Sequence, residues 1–196
     1  MLERREKGRR RILQGAAQIL DAGTLGDFTV DNLARNLRMS KSTLYKYFDS
    51  KDHVLVTLVE GLCSEMERAL AALDLAGAPT AADALRRLVG VLAEDADRTP
   101  AAIRLQTADL PPETRERVAE VREAVRLRAV EIMSRGARSG EFDVPSPRLA
   151  AAAYLAALDE AVATTARKAG ELTRGDALRA VHEMVTEGFA RNLATA

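Results

Sequence analysis

Side chains that can form hydrogen bonds with a ligand are concentrated in one short stretch, Ser40 to Lys51. Ser40 is a favourable N-cap residue, so the pattern predicts a helix that begins at Lys41. Polar side chains on the first turns of such a helix can meet base edges in the major groove of DNA. The candidates for these base contacts are Lys41, Ser42, Thr43 and Lys46.

A second set of side chains suits the phosphate backbone. Thr29 and Ser40 stand where N-caps belong, and helix N-termini attract phosphate through free N–H groups and the helix dipole. Lys51 lies just inside the following predicted helix, where its ammonium group can reach the DNA backbone. The predicted phosphate contacts are Thr29, Ser40, Tyr45, Tyr47 and Lys51.

Two short helices are needed to hold these side chains. Leu33 and Leu37 recur at helical spacing and can pack against Leu44 and Phe48 of the next predicted helix. This is the arrangement of a helix-turn-helix, whose second helix enters the major groove. A further helix, from Arg9 to Ala22, would pack behind the pair. The basic residues that precede it are predicted either as a solvated, disordered tail or as an arm that reaches the DNA.

The order of these residues resembles the DNA-binding signature of the tetracycline-repressor (TetR) family. The resemblance runs from about Arg10 to Leu58 and rests on Thr29-Val30, Leu33-Ala34, the run Ser40 to Phe48, and Lys51. The family usually has a glycine in the turn between the two helices, where this chain has Arg38-Met39. A side chain in a left-handed turn conformation costs about 1 kcal/mol. We therefore expect a slightly different turn and an additional phosphate contact from Arg38.

The resemblance implies an all-α fold of about nine helices. Residues 1–50 would form a three-helix helix-turn-helix DNA-binding domain, and residues 51–196 a helical effector-binding and dimerisation domain. The proline positions and the helical periodicity agree with this plan. The remaining helices are predicted at Ser50 to Leu75, Ala81 to Ala96, a short segment reaching Ala108, Glu113 to Arg138, Arg148 to Ala169 and Arg174 to Leu193.

Charge is distributed unevenly, although the net charge is zero. Residues 1–51 carry 11 Lys/Arg and 6 Asp/Glu, a net of +5, and the remaining 18 Lys/Arg and 23 Asp/Glu give −5. The predicted DNA-binding end is therefore the positive end. No stretch is long and apolar enough to span a membrane, and no cleavable signal is recognisable, so a cytoplasmic protein is expected.

The two C-terminal helices, Arg148-Ala169 and Arg174-Leu193, are predicted to form a homodimer interface. They are rich in small and apolar residues, and more apolar surface is available than one two-helix layer can bury. Pairing with their symmetry mates would form a four-helix interface. A dimer would place two recognition helices about 34 Å apart, which matches successive major grooves of palindromic double-stranded DNA.

The resemblance also implies a cavity for a small-molecule effector, between about Cys63 and Thr165, whose ligand would shift the long helix that links the two domains. Periodicity suggests a set of apolar lining residues, although a plain core role is the commoner one for side chains of this kind: Met66, Leu88, Leu92, Ile103, Leu105, Val125, Tyr154 and Leu158. Gln106, Arg122 and Asp159 could supply polar contacts. Aromatic residues are only 4% of the chain, which favours a lipophilic or flexible ligand over a flat aromatic cation.

Two other classes of function remain open. The chain could be a helical ligand-binding or protein-interaction module without DNA binding, or an enzyme on a helical scaffold. Catalysis is disfavoured, because neither His53 nor His182 has a metal-spaced partner and no glycine-rich phosphate loop is present. The single cysteine, Cys63, excludes an internal disulfide and a cysteine-rich metal site. No cofactor is expected.

Overall fold

The computed structural model describes residues 2–100, 103, 106–167 and 172–190. Within these ranges the chain forms eight α-helices, two short 3₁₀ turns (Leu25–Asp27 and Thr107–Asp109) and no strand, which confirms the predicted all-α class. The helices are α1 (Leu2–Ala22), α2 (Val30–Leu37), α3 (Lys41–Tyr45), α4 (Lys51–Ala72), α5 (Ala81–Arg98), α6 (Pro112–Ser139), α7 (Pro147–Arg167) and α8 (Arg174–Ala190). No helix in the described part of the chain is long and apolar enough to cross a membrane.

Most predicted helix ends lie within a few residues of the observed ones, but α1 and α3 differ. α1 begins at Leu2 rather than Arg9, so the disordered-tail interpretation of the basic head is wrong. Its first turns are Glu, Arg and Lys residues, which have high helix propensity. α3 ends at Tyr45, so Lys46 and Tyr47 lie in the turn that follows it. Much of the short helix predicted to reach Ala108 lies outside the described residues. The last residues of the two C-terminal predicted helices, 168–169 and 191–193, lie outside them as well.

The chain divides into two compact units. The first comprises Met1–Glu65 and Thr99–Ala119, and the second comprises Met66–Arg98 and Glu120–Ala196. The functional boundary expected near residue 50 stays a prediction.

The core of the first unit forms between α1 and the two short helices. Ile12, Ala16 and Leu20 of α1 are fully buried, and Leu37 of α2 is nearly so. Gly15 permits the close approach of α2, since a Cβ atom at this position would lie only 2.6 Å from Leu37 Cδ2. The four apolar residues predicted to pack together, Leu33, Leu37, Leu44 and Phe48, are all buried.

The second unit is held together by side chains that bind backbone groups of distant segments. The Glu141 carboxylate accepts hydrogen bonds from the N–H groups of Ala81 (2.7 Å) and Ala82 (2.8 Å), at the positive end of the α5 dipole. Arg135 of α6 donates to the carbonyl oxygens of Leu75 and Ala78, each at 2.7 Å. α8 packs against both α5 and α7.

The turn between α2 and α3 is left-handed at Arg38, which has φ 52° and ψ 46°. Among the described residues it is the one non-glycine residue with positive φ. The N–H of Arg38 donates to Arg35 O (3.2 Å) and that of Met39 donates to Ala34 O (2.9 Å). This is the Schellman arrangement that closes a helix C-terminus.

Replacing Arg38 with glycine should stabilise the protein. Glycine adopts positive φ without steric cost, but it also has more conformational entropy in the unfolded chain, which offsets part of this gain. The net expected rise in the free energy of unfolding is about 0.5–1 kcal/mol. Arg38→Ala retains the steric cost and should give no such gain. Chemical denaturation of both variants measures the difference. Equal stability of the two variants would contradict a strained turn.

Candidate nucleic-acid interface

Both predicted N-caps are confirmed, and they fix the N-termini of α2 and α3. Thr29 Oγ1 accepts a hydrogen bond from the N–H of Asn32 (3.1 Å), and Ser40 Oγ accepts one from the N–H of Thr43 (3.1 Å). Each cap uses one of the N–H groups that a helix start leaves without an intrahelical partner. The hydroxyl groups of Thr29 and Ser40 are therefore already engaged. Phosphate at these termini would be held by the neighbouring N–H groups and the helix dipole.

Three hydroxyl groups form a cluster at the start of α3. Ser40 Oγ lies 2.9 Å from Ser42 Oγ and 2.8 Å from Thr43 Oγ1. The side chain of Ser42 is exposed, whereas that of Thr43 is half-buried. The cluster holds two of the four predicted base-contact side chains in fixed positions.

Lys41 forms an ion pair that the local sequence pattern did not predict. Its Nζ atom lies 2.6 Å from Asp31 Oδ1, in the first turn of α2, and both side chains are more than half exposed. An exposed pair of this kind contributes at most about 1 kcal/mol. A DNA acceptor can therefore compete with Asp31 for the ammonium group of Lys41.

The remaining predicted DNA-contacting side chains differ in accessibility. Lys46 and Lys51 are exposed, and Tyr45 is 52% exposed. Tyr47 is half-buried, because its ring packs on α1 at Gly8, where a Cβ atom would collide with the ring. Of this group, Tyr47 is the side chain with a clear packing role.

Two arginines of α1 brace the helix-turn-helix and were not identified from the sequence as individual residues. Arg9 Nη1 donates to Tyr47 O (2.8 Å), and the guanidinium carbon lies 4.2 Å from the centre of the Phe48 ring. Arg11 Nη2 donates to Leu37 O (2.9 Å). Both therefore satisfy carbonyl groups at or near the ends of the short helices, as cations at helix C-termini do. The available signal was the cluster of basic residues ahead of the apolar stripe.

His53 is held at the start of α4. Its Nδ1 atom lies 3.1 Å from Asp49 Oδ2, and its ring meets the Phe48 ring edge-on, with the ring centres 5.3 Å apart. Its backbone N–H donates to Ser50 Oγ (3.0 Å).

Among the described residues no group of three or more His, Cys, Asp or Glu side chains could hold a metal ion.

The predicted effector-contacting residues are divided between the two units. Ile103, which is buried, and Gln106 belong to the first unit. Gln106 accepts a hydrogen bond from the N–H of Leu25 (2.6 Å), so its amide oxygen has a structural partner. In the second unit Met66, Leu88, Val125, Tyr154 and Leu158 are buried, Leu92 is half-buried, and Arg122 and Asp159 are exposed. Leu105 lies outside the described residues.

Tyr154 and His182 form a buried polar pair in the second unit. The Tyr154 hydroxyl lies 2.8 Å from His182 Nδ1, and the two rings meet edge-on. Burial raises the pKa of the Tyr154 phenol, so it stays protonated. Burial, assisted by the positive charge of Arg86, lowers the pKa of His182 more than Glu183 raises it.

Comparison with known proteins identifies the family. The model described as "Bacterial regulatory proteins, tetR family" matches residues 12–58, and the model "Tetracyclin repressor-like, C-terminal domain" matches residues 78–189. The chain belongs to the TetR family of bacterial regulatory proteins.

Curated relatives are similar over part of their length. The HTH-type transcriptional regulator EthR of Mycobacterium tuberculosis is 39% identical over 59 residues, which are 30% of this chain and 27% of that protein. EthR of Mycolicibacterium smegmatis is 33% identical over 110 residues, which are 54% of this chain and 49% of that protein. The chain thus matches about half or less of the length of these relatives.

Solved structures are similar over nearly the whole chain. The TetR family regulator PfmR from Thermus thermophilus is 25% identical, with a TM-score of 0.68 over 90% of this chain and 97% of that one. FadR from Bacillus subtilis, solved in complex with stearoyl-CoA, is 20% identical, with a TM-score of 0.65 over 91% and 98%. The second likeness shows the shared fold alone.

Replacing Ser40 with alanine should destabilise the helix-turn-helix. The change removes the N-cap of the five-residue α3, and the expected loss in free energy of unfolding is about 1 kcal/mol. Ser42→Ala is the matched control, because it removes a hydroxyl from the same cluster without removing the cap. Chemical denaturation should distinguish the two variants. Equal losses would mean that the hydroxyl cluster, rather than the cap, stabilises α3.

His182 should make stability depend on pH. Its pKa is lower in the folded protein than in the unfolded chain, so the stability that it contributes is present above the unfolded value of about 6.5 and declines as the pH falls through that value. Denaturation curves between about pH 7 and pH 5 should show a smaller decline for His182→Gln than for the unchanged protein. His53→Gln is the control. An undiminished decline in His182→Gln would assign the effect to other groups.

Proposed function

We propose that the protein is a ligand-responsive transcriptional repressor that binds a palindromic operator as a dimer and is released by a small-molecule effector. The observation that carries the proposal is the pair of capped helices, α2 and α3, joined by the closed turn at Arg38 and flanked by the exposed cations Lys46 and Lys51. Membership of the TetR family and the similarity to EthR support it. Such a regulator would act in the cytoplasm, where its operator lies.

The proposed DNA contacts follow the surroundings of each side chain. Lys41, Ser42, Thr43 and Lys46 are assigned to base edges, with Lys41 exchanging Asp31 for a DNA acceptor. Tyr45 and Lys51 are assigned to phosphate. Tyr47 is also assigned to phosphate, through the part of its side chain that stays exposed when the ring packs on α1. Thr29 and Ser40 contribute through the helix termini that they cap.

The proposed dimer interface is formed by α7 and α8. Leu149 at the start of α7 is 65% exposed and Met184 of α8 is 66% exposed, which are the highest values for large apolar side chains in the described part of the chain. Ala152, Ala153 and Ala156 are also exposed on α7 and would permit close helix approach. A two-fold axis that joins these surfaces forms a closed four-helix interface.

The proposed effector is lipophilic or flexible. Of the candidate contact residues, those buried in the second unit are mostly aliphatic, such as Met66, Leu88 and Leu158. FadR, a relative in fold, is known in complex with stearoyl-CoA, a ligand with a long aliphatic chain. Release from DNA requires the effector to favour the state that does not bind DNA, by a coupling of about 1–3 kcal/mol.

The first test is retention of sheared genomic DNA by the purified protein at near-physiological salt. Enrichment of one short palindrome, lost in the double variant Lys46→Ala/Lys51→Ala, is the expected result. Uniform weak retention, or unaltered affinity of the double variant, would reject the repressor and favour a binding module without DNA recognition.

Lys51→Ala should weaken binding to all DNA sequences alike. Loss of one phosphate contact should reduce the slope of log K against log salt concentration by about one unit. Arg128→Ala is a matched control, because it removes an exposed cation from α6 in the second unit. Binding isotherms at several salt concentrations measure the slope. A changed sequence preference with an unchanged slope would show that Lys51 contacts bases.

Met184→Glu should shift the protein towards monomer, because it places a charge in the proposed apolar interface, and operator affinity should fall with it. Leu127→Glu is the matched control: Leu127 is a 55% exposed leucine on α6, outside the proposed interface. Analytical ultracentrifugation gives the oligomeric state. Dimerisation that is equally strong in both variants would exclude Met184 from the interface.

A further inference from the structure

A groove of about 540 Å³ lies between α5 and α8 in the second unit, apart from the helix-turn-helix. Its lining is Arg86, Val89 and Gly90 from α5, and Arg179, His182, Glu183 and Thr186 from α8. The volume is within the range of small-molecule sites. None of these residues is among the predicted effector contacts.

The two helices bring their arginines to the groove with the same local motif. The sequence T-x-x-D-A-L-R occurs at Thr80 to Arg86 and again at Thr173 to Arg179. In each copy the threonine hydroxyl both donates to the aspartate carboxylate and accepts from the aspartate N–H, at 2.8 and 3.0 Å in the first copy and at 2.9 and 3.0 Å in the second. In each copy the arginine donates to that same aspartate.

This motif orients each guanidinium group and offsets part of its charge, but leaves most of its N–H groups unused. Arg86 Nη1 donates to Asp83 and Arg179 Nη1 donates to Asp176, at 3.0 Å in the second case. A guanidinium group carries five N–H bonds, so most of the fork stays available to a planar oxyanion.

The spacing of the arginines sets the size of the ligand. α5 and α8 run antiparallel. Asp97, near the end of α5, accepts a hydrogen bond from the N–H of Gly175 at the start of α8 (2.9 Å), whereas the groove is lined by Arg86 from the first half of α5 and Thr186 from the second half of α8. Counted from that contact, Arg86 and Arg179 are offset by about seven residues, or roughly 10 Å along the helices. Long arginine side chains can bridge part of this offset, which leaves room for two acidic groups a few carbon atoms apart.

His182 adds a donor between the arginines. The phenol of Tyr154 stays protonated, and His182 Nδ1 is the hydrogen-bond partner of its hydroxyl in the described part of the chain. We assign the phenol as the donor, which places the imidazole proton on Nε2. That nitrogen has no hydrogen-bond partner in the described part of the chain, and His182 is one of the residues that line the groove. The buried pair thus has an N–H group that a ligand in the groove could use.

Gly90 forms an open floor that packing does not explain. Glycine in a helix interior is less favourable than alanine, yet a Cβ atom at Gly90 would meet no atom within 4 Å. A larger side chain would be tolerated by the protein but would fill the groove beside Val89. A short aliphatic segment of a ligand fits there.

We propose that this groove binds a small organic dianion, such as an α,ω-dicarboxylate, whose acidic groups are held by Arg86 and Arg179 and whose carbon chain lies over Val89 and Gly90. Three carboxylates oppose binding: Glu183 in the lining, and Asp83 and Asp176, each of which is bonded to one of the two arginines. Glu183→Gln should therefore strengthen binding. The site is independent of the proposed repressor function, since its binding is measured without DNA.

The test uses three matched six-carbon probes: adipate, hexanoate and 1,6-hexanediol. The chain contains two histidines, so NMR of the imidazole groups reports the groove through His182 and supplies an internal reference through His53 in the first unit. Adipate should shift the His182 resonances saturably and leave those of His53 unchanged. Hexanoate should bind about tenfold more weakly because one arginine contact is lost, and hexanediol should not bind.

Variants locate the site. Gly90→Leu should abolish adipate binding without lowering the melting temperature, and Gly61→Leu, at an exposed glycine of α4 that also has no atom within 4 Å of a Cβ, should leave binding unchanged. Arg86→Gln and Arg179→Gln should each weaken binding about tenfold, whereas Arg128→Gln should not.

Three results would overturn the proposal. One is the absence of a saturable His182 shift at millimolar adipate. Another is equal affinity for adipate and hexanoate, which would reject the two-arginine site. The third is undiminished binding by a folded Gly90→Leu variant.

Discussion

The proposed DNA-binding surface depends on a helix that is too short to persist by itself. α3 has five residues, and an isolated helix of that length does not recover the cost of its nucleation. It is held by contacts at both ends and below: Ser40 caps its start, Leu44 is buried beneath it, and Arg9 binds the carbonyl oxygen of Tyr47 just beyond its end. The register of the exposed side chains is therefore set by tertiary contacts rather than by helix propensity.

Local signals were sufficient for the parts of this surface that local contacts determine. Thr29 and Ser40 bond to N–H groups three residues away, and Leu33, Leu37, Leu44 and Phe48 fall on one face by helical spacing, so their roles could be predicted from the sequence. The resemblance to a known family added the expectation of two domains. The family's usual glycine in the turn also indicated a left-handed residue there, and the structure places it at Arg38.

Long-range polar contacts could not be predicted. Arg9 and Arg11 bind carbonyl oxygens 38 and 26 positions away, and Gln106 binds an N–H group 81 positions away. A pattern of charge or periodicity identifies such residues as polar but does not identify their partners. The same limit applies to the second unit, where buried aliphatic residues look alike in sequence whether they contact a ligand or only one another.

If Lys41 contacts a base as proposed, its ion pair with Asp31 makes recognition by α3 an exchange of partners. In the DNA-free protein the aspartate of α2 occupies the ammonium group of the lysine, much as an acceptor on DNA would. The net gain from the proposed base contact would be the difference between two attractions, and weak nonspecific encounters would gain little from Lys41. Asp31, which lies outside α3, would then help to set base choice. Among related chains, drift at Asp31 would retune operator preference while the sequence of α3 stayed the same.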